Sequence, residues 1–426
     1  MTTAIGPREI ARRVLDRVDK GGAWATLTLD AELARSALDE RDRRLASELV
    51  YGVLRNRMRI DRAIGAHADL ARTPPKVRTA LRVAVYQLLF LDRVPAYAAV
   101  DDAVGAARTF GGSKLGGFTN AVLRKITTQR EPPLPGAPGE LARLEVEHSL
   151  PGWILDELAA VAPAGELATL AAAFGEQPPL VARVNPRKTS REALAAQLEE
   201  AGVTATPVAL APSALRLDGI GDPARNPEFV SGTWTVQDPG AQLVGIVAAP
   251  RAGQRILDAC AGVGGKSTHL AELADDAAVI DAADTSKTKL GLLADTARRL
   301  GLTNIQPIVC DLLDPTAPLE AQYDLIVLDA PCSGLGVLRR HPDAKWRLTS
   351  DAVPRLAALQ SRLLDAVVAR LAPGGTLVYS VCTFTRAEGP AQIAALVARS
   401  GLSLVEERRT WPPDADAFYI AKLARA

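Results

Sequence analysis

Residues 325–336 read LIVLDAPCSGLG. The apolar run leads into Asp329, Pro331 and Cys332, and two glycines follow. Such a run, stopped by Pro and Gly, reads as a buried strand ending in a loop. In an open α/β sheet, ligands sit beyond the carboxyl ends of the strands, so this strand delivers a carboxylate and a thiol to the rim where chemistry happens. Residues 375–382 (GTLVYSVC) read as a second strand ending in a cysteine, Cys382. Residues 255–258 (RILD) read as a third, ending in the glycine-rich loop CAGVGGK. If the three are neighbours in one parallel sheet, Cys332, Cys382, Asp329 and the glycine loop share one rim.

Working outward, residues from about 237 alternate strand with helix. Strands are expected at 255–259, 278–283, 305–309, 324–329, 375–381, 402–406 and 417–423. Helices are expected at 266–274, 286–300, 354–371 and 390–400. This alternation predicts a doubly wound, Rossmann-like α/β domain over 237–426. Upstream, residues 140–236 read as a small α+β linker subdomain, with helices to about 173, a strand at 180–185 and a Ser-capped helix at 190–201. Short strands follow near 204–208, 214–217 and 233–236. Before it lies a proline-rich stretch, EPPLPGAPG, at 131–139. Residues 1–135 read as an all-α domain, with helices at 43–56, 76–91, 97–110 and 118–128 broken at Gly and Pro. Ile10, Val14 and Val18 share one face of its first helix.

Composition bounds the function. The 426 residues are 48% hydrophobic and 23% charged, with a formal net charge of +1, enough to build buried cores in two or three domains. The charge is uneven: residues 1–135 hold 23 Lys+Arg against 15 Asp+Glu, a net of +8. A basic amino-terminal third suits a polyanionic partner. Its arginines Arg43, Arg44, Arg55, Arg57 and Arg59 cluster in sequence and suit phosphate, as do Arg183, Arg187, Lys188 and Arg191, though an ordinary charged surface reads equally well for both sets. The four cysteines, Cys260, Cys310, Cys332 and Cys382, have no paired metal spacing, so no metal is expected. They also argue against a disulfide scaffold. The amino-terminal stretch lacks the apolar core of a signal peptide, and no apolar stretch reaches the ~20 residues that span a bilayer. A cytoplasmic monomer with no membrane contact is expected.

Three features together suggest an adenosine site. The glycines of 258–266 (DACAGVGGK) let a ligand approach the backbone, and a helix amino terminus follows. The loop has neither a strict GxGxxG nor a P-loop lysine spacing, and alone it reads equally as a tight turn. Asp284, after the second strand, can accept from ribose hydroxyls. Asp311, after the third, can meet an adenine amino group.

CAGVGGK, Asp284, CDLLDP, DAPCSGLGVLRRHPDAKW, TLVYSVCTF and FYIAKL resemble the RNA cytosine-5 methyltransferases. YQLLFLDRVPAYAAVDDAV and GGFTNAVLRKI resemble the NusB-like RNA-binding domain. Together they cover nearly the whole chain and are similar to the NusB-fused branch that acts on 16S ribosomal RNA. The resemblance implies a class I methyltransferase domain using S-adenosylmethionine. It implies a site lined by Cys260, Ala261, Gly262, Val263, Gly264, Gly265, Lys266, Asp284, Asp311 and Asp329. It also implies Cys382 as nucleophile, Cys332 as the residue assisting product release and Asp329 at cytosine N3. In two places the chain departs from the family pattern: Gly262-Val263 replaces Ala-Pro, and Val381 replaces the Thr before the second cysteine. These bear on loop shape and cofactor affinity.

The chemistry accounts for two thiols and an acid. Cytosine C5 is a poor nucleophile, and a thiolate adding at C6 makes it enamine-like. Charge at N3 then needs a partner, and a base must take the C5 proton. The residues alone do not say which cysteine attacks. Arg339, Arg340, His341, Lys345 and Trp346 can hold a strand and stack on a base, or form a structured loop. The target belongs in a single-stranded loop or is flipped out. Transfer RNA is the alternative substrate, and a non-catalytic RNA assembly or antitermination factor the alternative class. Intact Asp329, Cys332 and Cys382 weigh against the latter. Amino-group methylation of adenine needs an Asn/Asp-Pro-Pro-aromatic loop that the chain lacks.

Overall fold

The computed structural model describes residues 5–425. The first four residues of the stretch read for a signal peptide, and the last residue of the chain, lie outside the described residues. Contacts group the chain into two units, Met1–Glu176 with Leu338–Thr349, and Gln177–Val337 with Ser350–Ala426.

The first unit is helical. Pro7 opens the helix Pro7–Asp19, where a missing N–H leaves nothing unbonded. Asp39 caps Glu40–Arg55 by accepting from the Asp42 N–H at 2.8 Å. The helices Ala25–Ala34, Arg57–Gly65 and Pro75–Phe90 complete a core holding Ile10, Val14 and Val18 as expected. The long stretch Ala96–Gln129 is bent at Gly111 and Gly112, both outside helical geometry. At Gly52 a Cβ would lie 2.0 Å from Tyr86 Cζ, so the two helices approach only because position 52 has no side chain.

The proline-rich stretch is not a free tether. Arg59 Nε donates to Glu131 Oε2 at 3.0 Å, and Arg62 Nη2 donates to the Pro133 carbonyl at 2.7 Å. The helices Leu141–Glu147, Gly152–Ala159 and Leu167–Gly175 follow. Contacts therefore divide the 140–236 segment after Glu176. The arginines read as phosphate ligands are engaged within the unit. Arg43 donates to the Leu33 carbonyl at 2.8 Å, Arg44 pairs with Glu40, and Arg57 pairs with Asp19 at 2.9 Å.

Leu338–Thr349 packs into this unit, and for Lys345 and Trp346 the structured-loop reading fits. Trp346 Nε1 donates to the Leu54 carbonyl at 2.8 Å, and Lys345 Nζ donates to the Arg55 carbonyl at 3.2 Å. These carbonyls end the helix Glu40–Arg55, where acceptors lack intrahelical partners. Arg55 returns a bond to the Arg339 carbonyl at 3.3 Å, and Arg57 lies 5.1 Å over the Trp346 ring. Arg339 and Lys345 are each 1% exposed.

The second unit holds two sheets. In the smaller, β1 (Leu180–Val184), β2 (Thr204–Pro207), β3 (Ala214–Asp218) and β4 (Trp234–Val236) are antiparallel in the order β2-β3-β1-β4. The larger comprises β5 (Arg255–Asp258), β6 (Val279–Asp284), β7 (Ile305–Val309), β8 (Tyr323–Asp329), β9 (Leu371–Val381), β10 (Ser403–Arg409) and β11 (Tyr419–Ala424). Their order is β10-β11-β9-β8-β5-β6-β7. The five strands β5 to β9 are parallel, and β11 runs antiparallel to both neighbours. Alternation decides the layers. Ile326 and Leu328 join a core with Leu363, Leu364, Ile393 and Leu396 of the helices Ala352–Val368 and Pro390–Ser400. Leu325 and Val327 face the opposite core with Val244, Leu270 and Leu300, from Pro239–Ala248, Gly265–Leu273 and Lys287–Leu300. Helices thus cover both faces, as the strand–helix alternation predicts.

Of the basic residues around β1, Arg183 is internal, which corrects its phosphate-facing expectation, whereas Arg187 and Lys188 are exposed and Arg191 half-buried. Arg183 is fully buried. It donates to Glu272 Oε2 at 2.8 Å and Oε1 at 2.9 Å, to Gln237 Oε1 at 2.7 Å and to the Gly265 carbonyl at 2.8 Å. Lys188 donates to the carbonyls of Ser231 and Arg299, and Arg187 to that of Gly301. Arg191 pairs with its neighbour Glu192 at 3.2 Å.

Candidate active site

The sheet order reverses at β5: β6 and β7 lie to one side, β8 and β9 to the other. Open α/β sheets place ligands beyond the strand ends at such a switch point. The glycine loop leaves β5, Asp329 ends β8, and Cys382 directly follows β9. Register sets Asp329 opposite Ser380, so both cysteine-bearing ends reach one rim.

Cys332 Sγ and Cys382 Sγ stand 3.4 Å apart. The hydrogen bond to Cys382, and then burial, push the Cys332 thiol well above its ordinary value. Asp329 Oδ2 accepts from Lys266 Nζ at 2.5 Å, and Oδ1 accepts from Ser380 Oγ at 2.8 Å. Burial alone lowers a lysine, but here the Asp329 charge and hydrogen bond outweigh it and hold Lys266 above its usual value. The Cys382 sulfur also lies within electrostatic reach of Lys266.

The glycine loop is shaped by its backbone. Gly262 (φ 56°) and Gly264 (φ 84°) sit in the left-handed region, which glycine adopts without strain. The Gly262 found here in place of Ala therefore suits its conformation. Val263, where the family has Pro, is 53% exposed. Asp284 Oδ2 accepts from the Gly262 N–H at 3.0 Å and Oδ1 from the Ser286 N–H at 2.8 Å, so each oxygen keeps a lone pair. Ala261 is buried, Cys260 is half-buried, and burial raises the Cys260 thiol. Beneath the loop, Asp258 Oδ2 accepts from Ser267 Oγ at 2.6 Å, and burial pushes its carboxyl up to about 6. The Gly265 carbonyl is tied to Arg183 and Gln237. Exposed Asp311 accepts from the Leu313 N–H at 2.9 Å. Cys310 lies at the end of the edge strand β7, outside the thiol pair. Among the described residues, no group of three or more His, Cys, Asp or Glu is placed to hold a metal ion, and no helix is long and apolar enough to cross a membrane.

Residues 245–424 match the family model for 16S rRNA methyltransferase RsmB/F, residues 6–128 that of the NusB family, and residues 150–222 that of the RsmF/B-like ferredoxin-like domain. The probable ribosomal RNA small subunit methyltransferase B of Synechocystis sp. is 38% identical over 91% of this chain and 88% of its own length. The chain belongs to the ribosomal RNA small subunit methyltransferase B family. The methyltransferase B of Vibrio cholerae is 37% identical over 86% of this chain and 84% of that protein. The crystal structure of PH0851 superposes on this chain with a TM-score of 0.82 at 25% identity, covering 99% of this chain and 100% of PH0851.

Three side chains at the rim of this chain carry no signal in the sequence. Ser380, the fifth residue of TLVYSVC, binds Asp329, and in sequence it reads only as a strand residue. Ser333 and Glu388 are buried together beneath the Cys332 loop. Glu388 lies just before the Gly-Pro that opens the helix Pro390–Ser400, where an acid reads as an ordinary helix-start residue.

Proposed function

We propose that this chain transfers a methyl group from S-adenosylmethionine to C5 of a cytosine in 16S ribosomal RNA, through a covalent bond between Cys382 and cytosine C6. The observation that carries this reading is the pair of sulfurs 3.4 Å apart at the ends of adjacent strands, beside the Asp329–Lys266 pair. Membership of the methyltransferase B family supports ribosomal RNA as the substrate.

The residues present fit the cofactor. A Cβ at Gly262 would meet nothing within 4 Å, so one side of the loop is open to a ligand, and Asp284 keeps acceptor capacity for ribose hydroxyls. Residues 260–266, Asp284, Asp311 and Asp329 would hold it, and the bound group supplies an electrophilic methyl on a sulfonium. Cys332 stands within hydrogen-bond distance of Cys382, which as the thiolate is the attacking atom. That thiolate adds at C6. As N3 becomes basic, the Lys266–Asp329 pair presents a proton-bearing partner there. After methylation, solvent water takes the C5 proton, the C5–C6 double bond re-forms, and Cys382 leaves with its electron pair, its departure assisted by the hydrogen bond from Cys332. A cytosine within a duplex does not reach this rim, so the base comes from a single-stranded loop or is flipped out. The basic helical domain over 1–135 and the linker subdomain over 140–236 serve RNA binding in this proposal. The 237–426 domain carries the chemistry, in a cytoplasmic monomer without metal.

The test is transfer of labelled methyl from S-adenosylmethionine to unmodified 16S ribosomal RNA and, in parallel, to unmodified transfer RNA, with nucleoside analysis. Label as 5-methylcytidine in ribosomal RNA alone is expected. Label in transfer RNA alone overturns the substrate, and no label in either overturns the reaction.

A further inference from the structure

We propose that Glu388 is a positioning residue: its buried carboxylate clamps the two cysteine loops together and sets the distance between Cys332 and Cys382. The inference rests on the thiol chemistry proposed above. Glu388 is fully buried, and a buried carboxylate persists only where donors surround it. Four do. Oε1 accepts from the Ser333 N–H at 2.8 Å and from Gln360 Nε2 at 3.1 Å. Oε2 accepts from Ser333 Oγ at 2.5 Å and from Thr385 Oγ1 at 2.9 Å.

These donors are not scattered through the core. Ser333 follows Cys332 directly, and Gln360 also donates to the Pro331 carbonyl at 3.0 Å, so the Cys332 loop is held on both sides. The other loop enters through Thr383, which follows Cys382 and lies 2.9 Å from Ser333 Oγ. An ionised carboxylate accepts only, which fixes the direction of the whole chain. The Thr385 N–H donates to Thr383 Oγ1, at 3.4 Å. Thr383 then donates to Ser333 Oγ, and Ser333 donates to Glu388. Each hydroxyl gives one proton and takes one. The Glu388 backbone closes the clamp, its N–H donating to Thr385 Oγ1 at 3.3 Å and its carbonyl accepting from Tyr379 OH at 2.6 Å. Two strand-end loops thus keep their sulfurs at hydrogen-bond distance because both hang on one carboxylate. Near-attack chemistry is sensitive to displacements of about 1 Å, so losing the clamp slows the reaction without touching the cofactor loop.

The experiment compares the full-length parent with Glu388→Gln, whose amide offers donors where the carboxylate accepts. Three readouts are taken: single-turnover methyl transfer to unmodified 16S ribosomal RNA, S-adenosylmethionine affinity, and the yield of Cys332–Cys382 bridged peptide after dibromobimane, by mass spectrometry. Turnover should fall roughly ten- to a hundredfold, with cofactor affinity within about twofold and bridging cut to less than about half. Unchanged bridging with unchanged turnover overturns the clamp. So does a loss of turnover that only tracks a loss of folded protein in thermal melts. Should Glu388→Gln fail to fold, Ser333→Ala removes only the hydroxyl between Glu388 and Thr383. It should shift turnover and bridging in the same direction by less, and no shift overturns the clamp. If the parent itself transfers no methyl to ribosomal RNA, the proposed reaction falls, while the bridging comparison still judges the clamp.

Discussion

Two lysines, one in each unit, are both withdrawn from water and end in opposite states. Lys266 sits 2.5 Å from Asp329 and is held above its usual value. Lys345 has a carbonyl acceptor at 3.2 Å and no carboxylate partner in its unit, and burial with the nearby Arg55 charge drives it down to about 7. Burial disfavours both ammonium groups equally in kind, and only a partner charge reverses it. The pairing marks the site of chemistry, and the unpaired lysine marks packing. If this contrast holds, substitutions around Lys266 change reaction rates at constant stability, and substitutions around Lys345 change stability at constant chemistry.

The largest effect is expected at the sulfurs beside Lys266. Cys382→Ala should reduce single-turnover methyl transfer by at least about a thousandfold, because it removes the attacking atom, while the melting temperature and cofactor affinity stay near parental. Normal turnover by this variant sinks the nucleophile assignment. Cys332→Ala leaves attack intact and impairs release, so a slow-migrating protein–RNA adduct should accumulate on denaturing gels. Absence of that band, with turnover preserved, removes Cys332 from the release step.

On the Lys345 side, Trp346→Ala should destabilise the helical unit by about 2–4 kcal/mol. It deletes packed indole area, the bond to the Leu54 carbonyl and the stacking under Arg57. Denaturant melts should show the loss, with cofactor affinity unchanged. A stable variant that loses only RNA affinity would restore Trp346 as an RNA contact. Truncation before residue 135 is a poor substitute for this test, since it uncovers Arg339, Lys345 and Trp346 along with removing basic charge.

The same contrast explains what was legible in the sequence. The strand positions and the rim residues followed from apolar runs ending in Asp329, Cys332, Cys382 and the glycine loop, because strand ends are written locally; the sheet order and its reversal at β5 come from pairing between distant segments. The fates of the basic residues were not. Arg183 meets Glu272, and Trp346 meets Leu54, across 89 and 292 residues of chain. A guanidinium destined for a phosphate and one destined for a buried carboxylate have the same local sequence. Many of the partners found are main-chain carbonyls, which every residue carries, so no residue type announces them. Glu388 was hidden for a related reason: its four donors converge from three segments, at 333, 360 and 385.

The smallest effect tests the Lys345 state itself. Its folded value near 7 lies below the ordinary 10.5, so between these values the unfolded chain binds a proton that the folded chain does not. Stability rises with pH wherever the unfolded state binds more protons. The contribution of Lys345 is therefore fully present above about 10.5, and is lost as pH falls to about 7. Lys345→Met keeps the aliphatic bulk and removes both the charge and the bond to the Arg55 carbonyl. At pH 7 and below the gain from the first exceeds the loss from the second and the variant is the more stable; as pH rises the gain fades, and near 10.5 only the loss of the bond remains. Denaturant melts of parent and variant across this range should therefore cross as pH rises. Curves that stay parallel would mean that Lys345 is charged throughout and has found a partner, and the contrast with Lys266 would then be lost.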